Sequence, residues 1–240
     1  MLAPAVRNTD VLPDGHPCLG CDVRNRALCG VLSSDDLAGM KGFGWNIRLA
    51  AGQTLFHEGD PATRVFTLTK GTLKLYKLLA DGRRHVTGFM HAGDFLGISV
   101  DDEHAFTAEA LEESQLCCFP RSRFDSFVED HSPMERELYR MAAHELAAAH
   151  QQMLLLGRKT ATERFASFLL DLAGRSQGQG STVRLPMNRS DIADYLGLTK
   201  ETISRVLSAM RRDRLVRLRA VDELEIVDSQ MLERVAECDA

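Results

Sequence analysis

The sequence predicts an α+β protein with an antiparallel β domain in its first half and helices in its second half. Three observations support this prediction. Short alternating segments between glycine turns fill residues 45–119, a helical apolar period begins at Ser132, and a helix-turn-helix pattern begins at Asn188. With 240 residues, 44% of them apolar, the chain is long enough for two domains that each have a core.

The region from Trp45 to Phe119 alternates apolar and polar residues, for example in Thr72-Leu-Lys-Leu-Tyr-Lys-Leu. Turn-forming pairs such as Lys70-Gly71 and Asp81-Gly82 separate these segments. Short strands with turns at near-regular spacing are typical of an antiparallel sandwich or barrel. The pattern lacks strand–helix–strand alternation, which excludes Rossmann-type and kinase-type sheets.

From Ser132 to Gly157 the apolar period becomes helical, and Pro133 suits a first helical turn. After Glu135, residues spaced by four and three positions form an apolar seam: Tyr139, Ala142, Leu146, Ala149, Met153 and Leu156. A seam of this kind packs either against its own domain or against an identical helix. We expect it to pair with a second copy, which predicts a homodimer.

Three cysteines, Cys18, Cys21 and Cys29, lie within twelve residues, and a fourth candidate, Cys117, follows far downstream. A Cys-x-x-Cys turn lets two sulfurs reach one metal centre, and thiolates suit zinc, copper(I) or iron–sulfur clusters. The first sixteen residues resemble no signal peptide, and no apolar run is long enough to span a bilayer. We therefore expect a cytoplasmic protein whose thiols bind a metal or respond to redox conditions.

The charge of the chain is unevenly distributed. The whole chain carries a net charge of −5, yet the segment from Arg184 to Arg219 contains nine basic and only four acidic residues. Such asymmetry is typical of a nucleic-acid-binding module within a longer chain.

The basic segment has the layout of a helix-turn-helix. Asn188 is placed to cap a first helix, Gly197 to provide the turn and Thr199 to cap a second helix. The second helix presents a polar face, and with its cap the candidate DNA-contacting residues are Thr199, Lys200, Glu201, Ser204 and Arg205. In a major groove, arginine can contact guanine and glutamate can accept a hydrogen bond from cytosine.

Two structural alternatives apply to this segment. Glu201 and Arg205 are four residues apart, so they could form only a surface ion pair. The two helices could also belong to a bundle that binds no nucleic acid. Against the second alternative, Leu215–Val227 follows directly and reads as a β-hairpin wing, which favours DNA binding.

The order of these parts resembles the CRP/FNR superfamily of bacterial transcription regulators, from about residue 17 to about residue 235. The stretch Asp-Tyr-Leu-Gly-Leu-Thr-x-Glu-Thr-Ile-Ser-Arg, from Asp194 to Arg205, is similar to the FNR and FixK branch. The resemblance implies a cyclic-nucleotide-binding-like β-roll sensor, a dimerisation helix and a winged helix-turn-helix, and no enzyme. It further implies an activator that works with RNA polymerase, in which Glu201, Ser204 and Arg205 bind palindromic TTGAT-type sites.

The resemblance also implies a cofactor. FNR-type members hold a [4Fe–4S] cluster on three N-terminal cysteines and one from the roll, which implies Cys18, Cys21, Cys29 and Cys117 here and an oxygen-responsive regulator. The seven residues between Cys21 and Cys29 exceed the five of enteric FNR proteins. Cys118 would point to the opposite face of its strand. The alternative is a zinc or thiol–disulfide switch on the same scaffold.

A cyclic nucleotide is not expected as the signal. Members of the superfamily that bind one pair its phosphate with an arginine, and the corresponding residues here, 92–107, contain none. The expected domains are 1–43 for the cysteine-rich segment, 44–131 for the roll, 132–158 for the dimerisation helix and 159–240 for the DNA-binding domain.

Overall fold

The computed structural model of the chain describes residues 12–98, 102–175 and 181–237. These residues form two compact units. The first contains the chain up to Lys77 together with Thr87–Ala147, and the second contains Leu78–Val86 together with the chain from Ala148 onward. The stretch from Arg175 to Ser181, which its glycine and serine residues predict to be a loop, lies mostly outside the described residues.

The described residues include the predicted antiparallel β-roll, which has two four-stranded sheets with strand orders β1-β8-β3-β6 and β2-β7-β4-β5. Its strands are β1 (Trp45–Leu49), β2 (Thr54–Phe56), β3 (Arg64–Lys70), β4 (Thr72–Leu78), β5 (Arg84–His91), β6 (Phe95–Leu96), β7 (Thr107–Ala110) and β8 (Ser114–Pro120).

Alternate residues of the strands fill the core of the roll. Leu68 on β3 pairs in register with Leu116 on β8, and both side chains are almost fully buried. At the turn between β3 and β4, Gly71 has a φ of +91°, and a Cβ atom there would collide with Ser114. This turn therefore requires glycine, because an L side chain would meet both backbone strain and a steric clash.

Two short helices flank the roll, and the sequence analysis missed both. A 3₁₀ helix (Leu28–Val31) leads into α1 (Ser34–Gly42), and α2 (Arg121–Glu129) follows β8. Each α-helix has nine residues and buries only one or two of them, so each gives a short and weak helical signal in the sequence. The hydroxyl of Ser33 caps α1 by accepting a hydrogen bond from the Asp36 amide at 3.2 Å.

The long helix α3 (Ser132–Arg158) begins where the helical apolar period begins in the sequence and spans the residues 132–158 that were expected for the dimerisation helix. Near its start Met134 and Glu137 are buried, whereas most of its later residues are exposed. Among the described residues, neither α3 nor any other helix combines the length and apolar character that a membrane span requires.

The second unit contains the predicted winged helix-turn-helix. Its strands form a sheet in the order β10-β11-β9, and its elements are α4 (Ala161–Arg175), β9 (Thr182–Arg184), α5 (Arg189–Leu196), α6 (Lys200–Arg212), β10 (Val216–Ala220), β11 (Glu223–Ile226) and α7 (Ser229–Glu237). The sequence analysis missed α7, which buries Leu232 and Ala236.

Three local features hold α5 and α6 in the predicted arrangement. Asn188 and Asp191 form a capping box at the start of α5, and Gly197 ends that helix with a φ of +62°. The hydroxyl of Thr199 caps α6 by accepting from the Thr202 amide at 3.2 Å. The caps and the turn confirm the positions that the sequence predicted.

A buried carboxylate on α5 meets an arginine within the same unit. The side chain of Asp191 is fully buried, and its Oδ1 lies 2.8 Å from Nη2 of Arg84. The same guanidinium contacts Asp194, with an Nη2–Oδ2 distance of 2.7 Å. Arg84 thus provides the positive charge that a buried carboxylate needs.

Candidate functional site

One small cavity in the first unit brings together the four cysteines singled out from the sequence. Its lining includes Cys18, Cys21, Cys29 and Cys117, and we call it the thiol cavity. The turn around Gly20 holds the first pair, since the amide of Cys21 donates to the carbonyl oxygen of Cys18 at 3.2 Å. The cavity therefore joins the N-terminal segment to strand β8, although the two are far apart in sequence.

Adjacent residues on β8 face opposite sides of their sheet. Cys117 lines the thiol cavity, whereas Cys118 is completely buried in the core of the roll beside Leu68 and Leu116. Burial also raises the pKa of the Cys118 thiol to about 11. Of the two, only Cys117 is placed among the other three thiols.

Two basic side chains, Lys41 and Arg24, also line the thiol cavity. Nζ of Lys41 lies 3.2 Å from Sγ of Cys117, which is hydrogen-bonding distance. A hydrogen-bond donor beside a cysteine sulfur is typical of the surroundings of a metal-ligating thiol.

Burial suppresses ionisation of the metal-free thiols. Burial, together with the neighbouring cysteines at positions 21, 18 and 117, raises the pKa of Cys29 to about 12. Burial raises the pKa of Cys18 as well, although Lys41 and Arg24 oppose this shift. These thiols favour the ionised form only when a strong positive charge, such as a metal, enters the cavity.

A continuous apolar cluster connects the thiol cavity to the start of α3. Buried side chains at its centre include Leu28, Phe119 and Met134, and Cys29 and Cys117 pack against it. Leu138 and Met141 from the first turns of α3 belong to the same cluster. A change in packing at the cavity can therefore reach α3 through direct contacts.

Helix α6 separates its residues by face. Its inner residues Ile203, Val206, Leu207 and Met210 are buried, while Lys200, Glu201 and Arg205 are exposed and Ser204 is half-buried. Thr199 is exposed at the N-cap. The predicted DNA-contacting residues thus share the outer face and N-terminus of one helix.

Glu201 and Arg205 do not form the surface ion pair that was the structural alternative to DNA contact. Within the described ranges, no ion pair joins Glu201 to Arg205, and Arg205 instead donates to the hydroxyl of Thr202 at 3.2 Å. The carboxylate of Glu201 is left to the solvent on the exposed face. Both side chains are therefore available to a partner.

The predicted seam on α3 leaves large apolar side chains uncovered. Tyr139, Leu146 and Met153 are 66%, 59% and 61% exposed. Ala142 and Ala149 are exposed between them, and Leu156 is half-buried. A row of apolar groups in water is unfavourable, so this face is a candidate surface for a partner.

Comparison with known proteins identifies the family. Residues 46–131 match the cyclic nucleotide-binding domain, and residues 163–235 match the Crp-like helix-turn-helix domain. Over 203 residues the chain is 40% identical to the nitrogen fixation regulation protein FixK of Bradyrhizobium diazoefficiens, covering 83% of this chain and 86% of that protein. The chain belongs to the CRP/FNR superfamily, in its FixK-like branch.

Further relatives agree with this membership. The chain is 34% identical to the transcriptional activator protein FnrL of Cereibacter sphaeroides over 230 residues, covering 92% of this chain and 93% of that protein. The structure of FixK2 from Bradyrhizobium japonicum superimposes with a TM-score of 0.76 at 34% identity, covering 80% of this chain and 96% of that one. This CRP/FNR protein is a DNA-binding transcription regulator and not an enzyme.

The structure of this CRP/FNR regulator adds two residues that the sequence analysis did not select. Lys41 is placed in the thiol cavity by α1, a helix that was not predicted. Arg189, at the start of α5, lies with Nη1 3.4 Å from the hydroxyl of Ser204 on α6. Its basic character and its position beside a helix N-terminus were the available signals for Arg189, whereas only the fold could reveal Lys41.

Proposed function

We propose that this regulator responds to oxygen through a [4Fe–4S] cluster bound by Cys18, Cys21, Cys29 and Cys117. The observation that carries the proposal is that these four thiols line one cavity. Thiolate ligands in a set of four are the ligands that iron–sulfur clusters require. A cysteine set from two distant segments also provides a link that can be made and broken.

The arrangement of the thiols favours a polynuclear cluster over a single zinc ion. A tetrahedral zinc site brings its sulfurs to about 3.8 Å from one another, since each Zn–S bond is about 2.3 Å long. Within the described residues, no group of three or more His, Cys, Asp or Glu side chains is arranged to hold one metal ion. The four thiols line one cavity, and four thiolates are the ligand set of a [4Fe–4S] cluster.

The basic side chains of the cavity fit an anionic cofactor. Four thiolates around a 2+ core carry a net charge of about −2. Lys41 and Arg24, which line the cavity, offset this charge, and Lys41 donates toward Cys117.

A bound [4Fe–4S] cluster supplies an oxygen-labile link between the N-terminal segment and β8. The chain transmits the state of that link by packing, because Cys29 and Cys117 share an apolar cluster with Met134 at the start of α3. Loss of the link loosens the packing of the apolar side chains around Met134. This change shifts α3, the element that we assign to dimerisation.

The proposed homodimer pairs the α3 seam of one copy with that of another. The exposed side chains of Tyr139, Leu146 and Met153 supply the apolar area, and Ala142 and Ala149 permit close approach. A two-fold dimer presents two copies of α6 to successive major grooves, which matches a palindromic site. Glu201, Ser204 and Arg205 then contact TTGAT-type half-sites, with RNA polymerase as the downstream partner.

The proposed function includes no cyclic nucleotide as a ligand of the β-roll. The segment 92–107 offers a phosphate no arginine or lysine and carries four acidic residues. A cyclic phosphate is anionic and would be repelled there.

The test is anaerobic purification of single alanine variants at the four cysteines, with Cys118→Ala as the matched control. We expect wild type and Cys118→Ala to be brown, with iron and acid-labile sulfide in equal amounts and about four of each per chain. Each variant at Cys18, Cys21, Cys29 and Cys117 should lack the intact cluster. Exposure of wild type to oxygen should abolish the visible absorption and weaken DNA binding.

Two results would overturn the assignment. A colourless anaerobic protein that holds zinc would establish the zinc switch instead. A cluster that survives Cys117→Ala but not Cys118→Ala would show that the fourth ligand is wrong.

A further inference from the structure

The second unit contains a strongly basic groove that the base-contacting face of α6 does not explain. The groove lies between the C-terminal end of α6 and the wing strand β10 and has a volume of about 550 Å³. Its lining includes Ser208, Arg211, Arg212, Arg214 and Arg217, and we call it the arginine groove. None of the described residues that line it is acidic.

Most of this positive charge has no acidic partner among the described residues. In the part of the chain that the structure describes, Arg211, Arg212 and Arg214 form no ion pair, and all three are exposed. Arg217 is the exception, since its Nη1 lies 3.4 Å from Oε2 of Glu225. Four guanidinium groups around one groove repel one another, so an anion that enters is strongly favoured.

Arg214 occupies a backbone conformation that ordinarily selects glycine. Its φ is +58°, and among described residues other than glycine it alone has a positive φ. Its amide donates to the carbonyl of Arg211, and the amide of Leu215 donates to that of Met210, which completes a Schellman motif. Helix α5 ends in the same conformation with Gly197. Glycine adopts this backbone conformation at a lower energetic cost than arginine does. The presence of arginine here therefore indicates that its side chain has a function.

The arginine groove continues from the surface that faces DNA. Ser208 lies one helical turn beyond Ser204 on the outer face of α6, and Arg212 lies one turn further. Arg217 approaches from the wing strand. A DNA strand that leaves the base-contacting region along this side meets the groove next.

We propose that the arginine groove binds the phosphodiester backbone of the DNA, outside the bases that α6 contacts. Arg212 and Arg217 contact phosphates from the helix side and the wing side, and Arg214 closes the end of the groove. Arginine forks match phosphate oxygens in geometry and charge. This contact adds affinity for any sequence. The proposed role of the arginine groove rests on the proposed function, in which α6 lies in the major groove.

The test is the salt dependence of DNA binding by the full-length protein, measured by fluorescence anisotropy on a TTGAT palindrome and on a random duplex of equal length. Each phosphate contact contributes about 0.9 to the slope of log K against log salt. Because a dimer doubles each substitution, Arg212→Gln/Arg217→Gln should reduce the slope by about 3.6 on both duplexes. Arg123→Gln/Arg136→Gln, which removes the same charge from α2 and α3, should leave the slope unchanged.

Arg214→Gly provides a second variant that we expect to stay folded. It relieves the positive φ, so the melting temperature should rise by about 2–4 °C. The slope should nevertheless decrease, by about 1.8 per dimer if one phosphate is lost on each side. A purely structural arginine would change only the melting temperature.

The proposal fails if the slopes of the groove variants equal that of wild type. Calorimetric titration with inorganic pyrophosphate separates a small-molecule site from a DNA contact. Saturable binding that Arg212→Gln/Arg217→Gln abolishes, together with unchanged DNA slopes, would assign the groove to a free phosphate ligand instead. Equal wild-type affinity for both duplexes would contradict the base-contacting role of α6, yet a reduced slope in the variants would still support the groove.

Discussion

The thiol cavity and the predicted DNA-contacting face of α6 are built in opposite ways. The cavity is assembled from two segments that are distant in sequence, and it buries its reactive groups. The face of α6 is one contiguous stretch whose polar side chains are exposed, and buried residues beneath it fix its orientation. The thiol cavity therefore depends on the surrounding fold, whereas the outer face of α6 requires only that α6 itself is folded.

This difference indicates where regulation acts. Burial holds the pKa of Cys29 near 12, so the state of the cavity depends on whether a metal centre is present. The caps and inner residues of α6 involve no cysteine, so the DNA-contacting face keeps its shape in either state. We therefore expect the signal to change how two copies of α6 are placed, and not whether the helix is folded.

The largest expected effect concerns the exposed site. Arg205→Gln removes a fork that can bind guanine, at a loss of about 1–3 kcal/mol for each half-site and about 2–6 kcal/mol for a dimer on a palindrome. Anisotropy titrations should show this loss, while the iron content should equal that of wild type. If the iron content fell with DNA affinity, the two regions would not be independent in the way their construction suggests.

A second comparison uses two methionines on the same helix. Met134→Ala should lower the free energy of unfolding by about 2–5 kcal/mol, because its side chain is fully buried beside the thiol cavity. Met153→Ala changes a side chain that is 61% exposed on the seam, so it should weaken dimerisation without destabilising the protomer. Urea denaturation and sedimentation would measure the two quantities. If both variants changed the free energy of unfolding and the dimer affinity to the same extent, the division of α3 into a buried start and an exposed seam would be wrong.

A third comparison concerns the support beneath the DNA-contacting unit. Arg84→Ala leaves the fully buried carboxylate of Asp191 without its cation, which should cost about 1–3 kcal/mol of stability. The neighbouring Arg83→Ala removes an ion pair with Asp81 in which both side chains are mostly exposed, so solvent screening should make its effect on stability much smaller than that of Arg84→Ala. Thermal denaturation of both variants would test whether burial decides the difference.

The same contrast explains what could be predicted from the sequence. Asn188, Gly197 and Thr199 act on residues next to them in the chain, so the sequence alone located α5, α6 and their turn. The cysteine pattern suggested a soft-metal or redox site, and the strand alternation suggested opposite directions for Cys117 and Cys118. Both inferences use rules that operate over a few residues.

The features that were missed depend on contacts between distant segments. Helices α1, α2 and α7 are short, and their stability comes mainly from the surfaces they cover. Lys41 reaches Cys117 only because α1 packs beside β8, and Arg84 reaches Asp191 across more than a hundred residues. Pairings of this kind follow from tertiary structure, for which no local periodicity gives a signal.

The smallest expected effect tests the turn that local sequence predicts best. Gly197→Ala places a side chain at a φ of +62°, and its Cβ would lie 3.5 Å from both Arg164 and Leu156, an ordinary contact distance. The cost is therefore conformational and should be about 1 kcal/mol. Gly157→Ala, within α3 and with no neighbour near its Cβ, should instead stabilise the protein by up to about 1 kcal/mol. Opposite signs in urea denaturation would show that backbone conformation, and not the lack of space, requires glycine between α5 and α6. A loss of stability in both variants would contradict that explanation.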